Sequence, residues 1–68
     1  MAVRLRRKEG NGVGAHLPFE DRNGNYIGNL TFHEGLDWQI TDSSQCNKYG
    51  WEVFDQALKM ARKQYPNG

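Results

Sequence analysis

Three glycine-bearing turn signals, Gly10-Asn11-Gly12, Asn23-Gly24 and Glu34-Gly35-Leu36, divide the first part of this chain into four strand-length pieces. Turn length constrains such a chain more than composition does. It sets strand register, and a slip by one residue moves every side chain to the other face of a sheet. Asn23-Gly24 predicts a two-residue type I′ hairpin, because both central positions need a residue that tolerates positive φ. That turn sets Phe19 against Gly28, Leu17 against Leu30 and Ala15 against Phe32 on one face. His16 then meets Thr31, and Pro18 meets Asn29, on the other.

The flanking loops must agree with this pattern. A two-residue Asn11-Gly12 turn would pair Arg6 with Leu17 and break the alternation. A three-residue Gly10-Asn11-Gly12 loop predicts Val3 opposite Phe19, Leu5 opposite Leu17 and Arg6 opposite His16. A loop at Glu34-Gly35-Leu36 predicts Phe32 opposite Trp38 and Leu30 opposite Ile40. Strands are expected over about 2–8, 13–20, 25–32 and 38–41. Their common apolar face holds Val3, Leu5, Val13, Ala15, Leu17, Phe19, Tyr26, Leu30, Phe32, Trp38 and Ile40.

A helix is expected over about 50–65. Trp51, Phe54, Leu58, Ala61 and Tyr65 recur at three- and four-residue steps and predict its buried stripe. Glu52 and Asp55 lie early and Lys59, Arg62 and Lys63 late, which suits the helix macrodipole. Pro66 and Gly68 end it, and Gly50 or Asn47 caps its start. The predicted fold class is α+β: one domain over 1–68, a four-stranded antiparallel β-meander of order 1-2-3-4 with one carboxyl-terminal α-helix on one face.

At 68 residues the chain is near the lower size at which one core supports itself, so a homodimer would be an unsurprising source of stability. It has no apolar run long enough to span a bilayer, and Met1-Ala2-Val3-Arg4 leads into no apolar stretch of a secretory signal. The single cysteine, Cys46, cannot close an internal disulfide, which small domains in oxidising compartments commonly need. A cytoplasmic location without membrane contact is therefore expected.

Enzyme signatures are missing: there is no phosphate-binding glycine loop, no His-Glu-x-x-His and no Cys-x-x-Cys. His16, His33 and Cys46 have the wrong spacing for a structural zinc pattern. Glu34, Asp37 and Asp42 read as turn-forming and solvating residues. Asn29-Leu30-Thr31 matches a glycosylation acceptor but falls in a central strand. No catalytic residue, metal, cofactor or small-molecule substrate is expected, and the reading is of a binding module.

The net charge is only +1, yet its distribution is uneven. Arg4, Arg6, Arg7 and Lys8 crowd one end and Lys59, Arg62 and Lys63 the other, with the acids between them. The open sheet face is expected to display Arg4, Arg6 and Lys8, then His16, then Asn29, Thr31 and His33, then Gln39 and Thr41. Arginine and lysine hold phosphates, and Asn, Gln and Arg read base edges. A sheet of three or four strands backed by a carboxyl-terminal helix is similar in outline to the arm-DNA-binding domains of phage-type integrases, a likeness of architecture that implies a sheet laid in the major groove.

Two partner classes follow. The first is nucleic acid, held by Arg4, Arg6, Arg7, Lys8, His16 and Asn29 in a DNA-binding or regulatory accessory protein. The second is another protein, met through Ile27 and Leu36, which this register leaves outside the core, or through the edge strand carrying Gln39 and Thr41. Charged edges also guard against unwanted strand pairing, and an antiparallel sheet can leave one polar face to solvent.

Overall fold

A computed structural model describes residues 2–68. Four antiparallel strands, β1 (Val3–Leu5), β2 (His16–Asp21), β3 (Tyr26–His33) and β4 (Asp37–Asp42), form one sheet in the order β1-β2-β3-β4. A four-residue helix, α1 (Cys46–Tyr49), leads through Gly50 into α2 (Trp51–Gln64). The α+β meander predicted from the turns is the observed architecture. Beside the predicted spans, β1 is shorter, β4 runs one residue longer at each end and α1 is an addition.

The helix covers one face of the sheet, and the core forms between them. Leu17, Phe19, Ile27, Leu30, Phe32 and Trp38 from the strands meet Val53, Phe54, Ala57 and Ala61 of α2. Phe19 and Phe54 meet edge to face, with ring centroids 5.3 Å apart, a geometry favoured by the ring quadrupoles. Trp38 buries its indole and donates Nε1–H to the carbonyl of Tyr65 at 2.9 Å, so its one polar atom is satisfied.

The β3–β4 hairpin has the predicted register: Leu30 faces Ile40, Phe32 faces Trp38, and His33 and Asp37 close a three-residue loop. The core of β2–β3 also pairs as predicted, with Phe19 opposite Gly28, Leu17 opposite Leu30 and His16 opposite Thr31. Its turn differs. Asp21 N–H donates to Asn25 O, which makes the loop Arg22-Asn23-Gly24 and not the two residues Asn23-Gly24. Only Gly24 there has positive φ. The extra loop residue is offset by a bulge at Ile27, since Glu20 pairs with Tyr26 while Phe19 pairs with Gly28. A bulge reverses the facing of the residues beyond it. Ile27 therefore enters the core, fully buried, and Tyr26 leaves it for the opposite face.

Three further expectations are corrected. β1 pairs two residues further along than expected: Val3 faces Asp21, Arg4 faces Glu20 and Leu5 faces Phe19. An even shift preserves the alternation, so Val3 and Leu5 still point to the helix. The β1–β2 connection is longer than three residues because Gly14 N–H donates to Phe32 O, drawing that segment onto β3; Val13 is thereby left exposed. Finally, Trp51 stands largely outside the core at 55% exposure. The stripe runs instead along Val53, Phe54, Ala57 and Ala61, with Leu58 and Tyr65 at its margin.

Candidate nucleic-acid interface

The uncovered face is built from the alternate residues of all four strands. Arg4 and Arg6 of the first strand segment converge on one carboxylate. Arg4 Nη2 donates to Glu20 Oε2 at 2.8 Å and Arg6 Nε to Glu20 Oε1 at 2.6 Å. Both follow from the shifted register, which sets Arg4 directly opposite Glu20. Arg6 also donates to Gly24 O at 3.0 Å and lies over the Tyr26 ring, 5.4 Å from its centroid. Two guanidinium groups on one carboxylate leave one positive charge in excess. Arg4 keeps 58% of its side chain exposed.

A neutral cluster occupies the middle. The Asn29 amide donates to Thr41 Oγ1 at 3.0 Å and also lies near Thr31 Oγ1 and His16 Nδ1. Thr31 and Thr41 share a hydrogen bond of 2.9 Å. For His16 Nδ1 to accept, the imidazole must be neutral with its proton on Nε2. Thr41 reaches this cluster because a bulge pairs Asn29 with Asp42 and leaves Thr41 beside it.

Tyr26 closes the lower side. Its hydroxyl donates to Asp42 Oδ2 at 2.6 Å. Burial, and then the Asp42 carboxylate, push the Tyr26 hydroxyl up to about 12. Conversely, the Tyr26 hydroxyl and the Ser44 N–H hold Asp42 below the usual carboxylate range.

The candidate residues thus divide. Arg4, Arg6, His16, Asn29 and Thr41 share the open face, and Arg7, the next residue after Arg6, is exposed. Lys8 departs from it: its ammonium donates to Gly68 O at 2.8 Å and Asn11 Oδ1 at 2.9 Å and lies over the Tyr65 ring. Ile27 is no contact residue, because the bulge buries it. Leu36 is exposed at the β3–β4 loop, and Gln39 is exposed on β4. Among the described residues no three His, Cys, Asp or Glu side chains gather as a metal site, and Cys46 packs against the core. No helix among these residues is long and apolar enough to cross a membrane.

Comparison with protein families, curated proteins and solved structures finds no match. The site's chemistry therefore rests on its own residues.

Two residues escape sequence reasoning, one on the open face and one on α2. Glu20 organises both arginines, and only the correct register would have put it opposite Arg4. Trp51 lines a cleft of about 300 Å³ with Tyr49, Gly50, Glu52, Val53 and Gln56. Its exposure could have been read from Val53, Ala57 and Ala61, a four-residue repeat that centres the buried stripe away from Trp51.

One backbone donor on the β4 edge is already engaged. Phe32 directs its N–H and C=O to Ala15 and Gly14, so the backbone groups of Trp38 and Ile40 point to the open side. Trp38 N–H is already taken by Asp37 Oδ1 at 2.8 Å. Arg62 holds that same carboxylate with two hydrogen bonds of 2.8 and 3.0 Å.

Proposed function

We propose that the protein is a small non-enzymatic nucleic-acid-binding module that presents its uncovered sheet face to a duplex. The observation that carries this reading is the pairing of two anchored, partly exposed arginines with a hydrogen-bonded polar cluster on one rigid surface. Arg4, Arg6 and Arg7 would contact phosphates. The Asn29 amide oxygen, His16 Nε2–H and Gln39 would face base edges. The base-facing residues lie on β2, β3 and β4, and three strands about 4.8 Å apart span roughly 10 Å, within a major groove about 12 Å wide, with β1 left to the phosphates.

Salt dependence tests the reading. Each neutralised phosphate steepens the log–log dependence of affinity on salt by about 0.9. Arg4→Ala with Arg6→Ala should therefore flatten the slope by about 2 and weaken binding. Glu20→Gln should strengthen binding, because it removes the negative charge that offsets the two guanidinium groups. Failure of duplex DNA or RNA to bind at low ionic strength would overturn the proposal.

A protein partner is the second reading, favoured by the exposed Trp51 beside its cleft and by Leu36, which is 71% exposed. Capture from cell extract that survives nuclease and is lost in Trp51→Ala, while Arg4→Ala leaves it intact, would favour this alternative.

A further inference from the structure

Asparagine followed by glycine occurs three times, at Asn11-Gly12, Asn23-Gly24 and Asn67-Gly68. The chemistry open to this dipeptide is attack of the glycine backbone nitrogen on the asparagine side-chain amide carbon. Glycine permits it because no Cβ crowds the approach. Two things control the step: whether the glycine N–H is free to lose its proton, and whether the amide oxygen is stabilised as it gains negative charge.

The three pairs differ on both counts. Gly24 N–H donates to Asp21 O at 3.1 Å and Gly68 N–H donates to Tyr65 O at 3.1 Å. Gly12 N–H meets no acceptor among the described residues. The amide oxygen of Asn11 accepts from the Lys8 ammonium at 2.9 Å, whereas among the described residues no cation donates to those of Asn23 and Asn67. A cation aimed at an oxygen that develops charge lowers the barrier to addition. Lys8 is itself held in place by Gly68 O and the Tyr65 ring, the ring centroid being 4.7 Å away.

We propose that Asn11 is a built-in site of spontaneous deamidation, selected over the other two pairs by Lys8. The Gly12 nitrogen loses its proton and bonds to Asn11 Cγ. The Cγ–Nδ2 bond breaks, and the departing nitrogen leaves as ammonia after taking up a proton. Water then adds to either carbonyl of the resulting cyclic imide, opening it to aspartate or to isoaspartate at position 11. Each conversion adds a negative charge beside Lys8, and the isoaspartate form also lengthens the backbone by one methylene. The modified loop lies against Phe32 through the Gly14 N–H bond to Phe32 O, so lengthening it would loosen the start of β2. Water is the only co-reactant.

The test is an incubation of the folded protein at neutral pH, followed by peptide mass analysis at all three asparagines. Conversion should be fastest at position 11 and should accelerate as pH rises, because the attacking nitrogen must be deprotonated. Lys8→Gln should slow position 11 by roughly two- to fivefold, the range an exposed charge contact supplies, while leaving Asn23, whose turn Lys8 does not touch, unchanged. Faster or equal reaction at Asn23 or Asn67 in the native chain would overturn the proposal. An unchanged or faster rate at Asn11 in Lys8→Gln, with Asn23 steady, would also overturn it. If all three rates rise together because the variant loosens the fold, Lys8→Arg keeps the cation and should retain the native order; loss of that order would count against the idea.

Discussion

The two central hairpins close with loops of the same length but opposite quality. Between β2 and β3, Arg22-Asn23-Gly24 puts glycine at the position that needs positive φ, and Gly24 stands at 83°. Between β3 and β4, Glu34-Gly35-Leu36 has its glycine one residue too early, so Leu36 takes φ 57°. A left-handed conformation costs a side-chain-bearing residue about 1–2 kcal/mol. The first loop is also braced by Asp21, which accepts from Asn23 N–H and Asn25 N–H at 2.9 Å each and from the Tyr49 hydroxyl. The second ends on Asp37, whose tie is to Arg62 at the surface. One hairpin is stapled to α1 by a buried carboxylate. The other carries an exposed, strained leucine. Strained residues cost stability wherever the surrounding structure holds them in place.

The comparison can be broken most severely where the hairpins meet. Gly28 lies in β3, between the two bulges. A Cβ there would fall 2.5 Å from Asp42 O, 2.8 Å from Phe54 Cε2 and 3.0 Å from Phe19 Cζ. Two of these neighbours are packed rings and one is backbone, so none can yield freely. Gly28→Ala should cost about 3 kcal/mol or more, enough to lower the melting temperature by more than 10 °C, at about 4–8 °C per kcal/mol for this size. A melt within a degree or two of the native protein would refute that packing.

The loops themselves should respond with opposite signs. Gly24→Ala should destabilise by about 1–2 kcal/mol. Leu36→Gly should stabilise by about 0.5–1 kcal/mol, the relief of strain less the added freedom of the unfolded chain. Little burial is lost, because Leu36 is mostly exposed. Thermal melts of the two variants in parallel would check the pair. If both changes destabilise, the strain assigned to Leu36 is absent.

A separate effect should be seen in acid. Asn25 N–H, with lesser help from Tyr49 and Asn23, holds Asp21 at about 2 against a usual 3.8, overcoming the opposing effect of its own burial. A folded pKa below the unfolded value gives stability that is present above about 3.8 and is lost as pH falls towards about 2. Asp21→Asn should lower stability at neutral pH and flatten the stability profile across that window. The same acid slope in the variant would show that the staple carries no linkage.

Alternation and turn spacing made the meander legible from the sequence alone, including the β3–β4 register and the pairing of Leu17 with Leu30. The open polar face was legible too, since His16, Asn29 and Thr31 follow from that pairing. Glu20 and Ile27 were not. An Asn-Gly dipeptide fits both a two-residue turn and the end of a three-residue loop, and local preference does not separate them. The choice falls to the bulge at Ile27, which pays because it buries an isoleucine and releases a tyrosine whose hydroxyl finds Asp42.

The chain by itself determined the order of elements, the facing of most strand residues and the existence of an amphipathic helix. Those properties depend on periods of two and 3.6 residues and on local turn chemistry. Tertiary structure decided the β1 register, the two bulges, the rotation of Trp51 out of the core and the joining of Arg4 and Arg6 on Glu20. Each of these depends on contacts between elements and not on one segment's own pattern. Their energies depend on which surfaces the helix and neighbouring strands leave open, a condition no single segment contains.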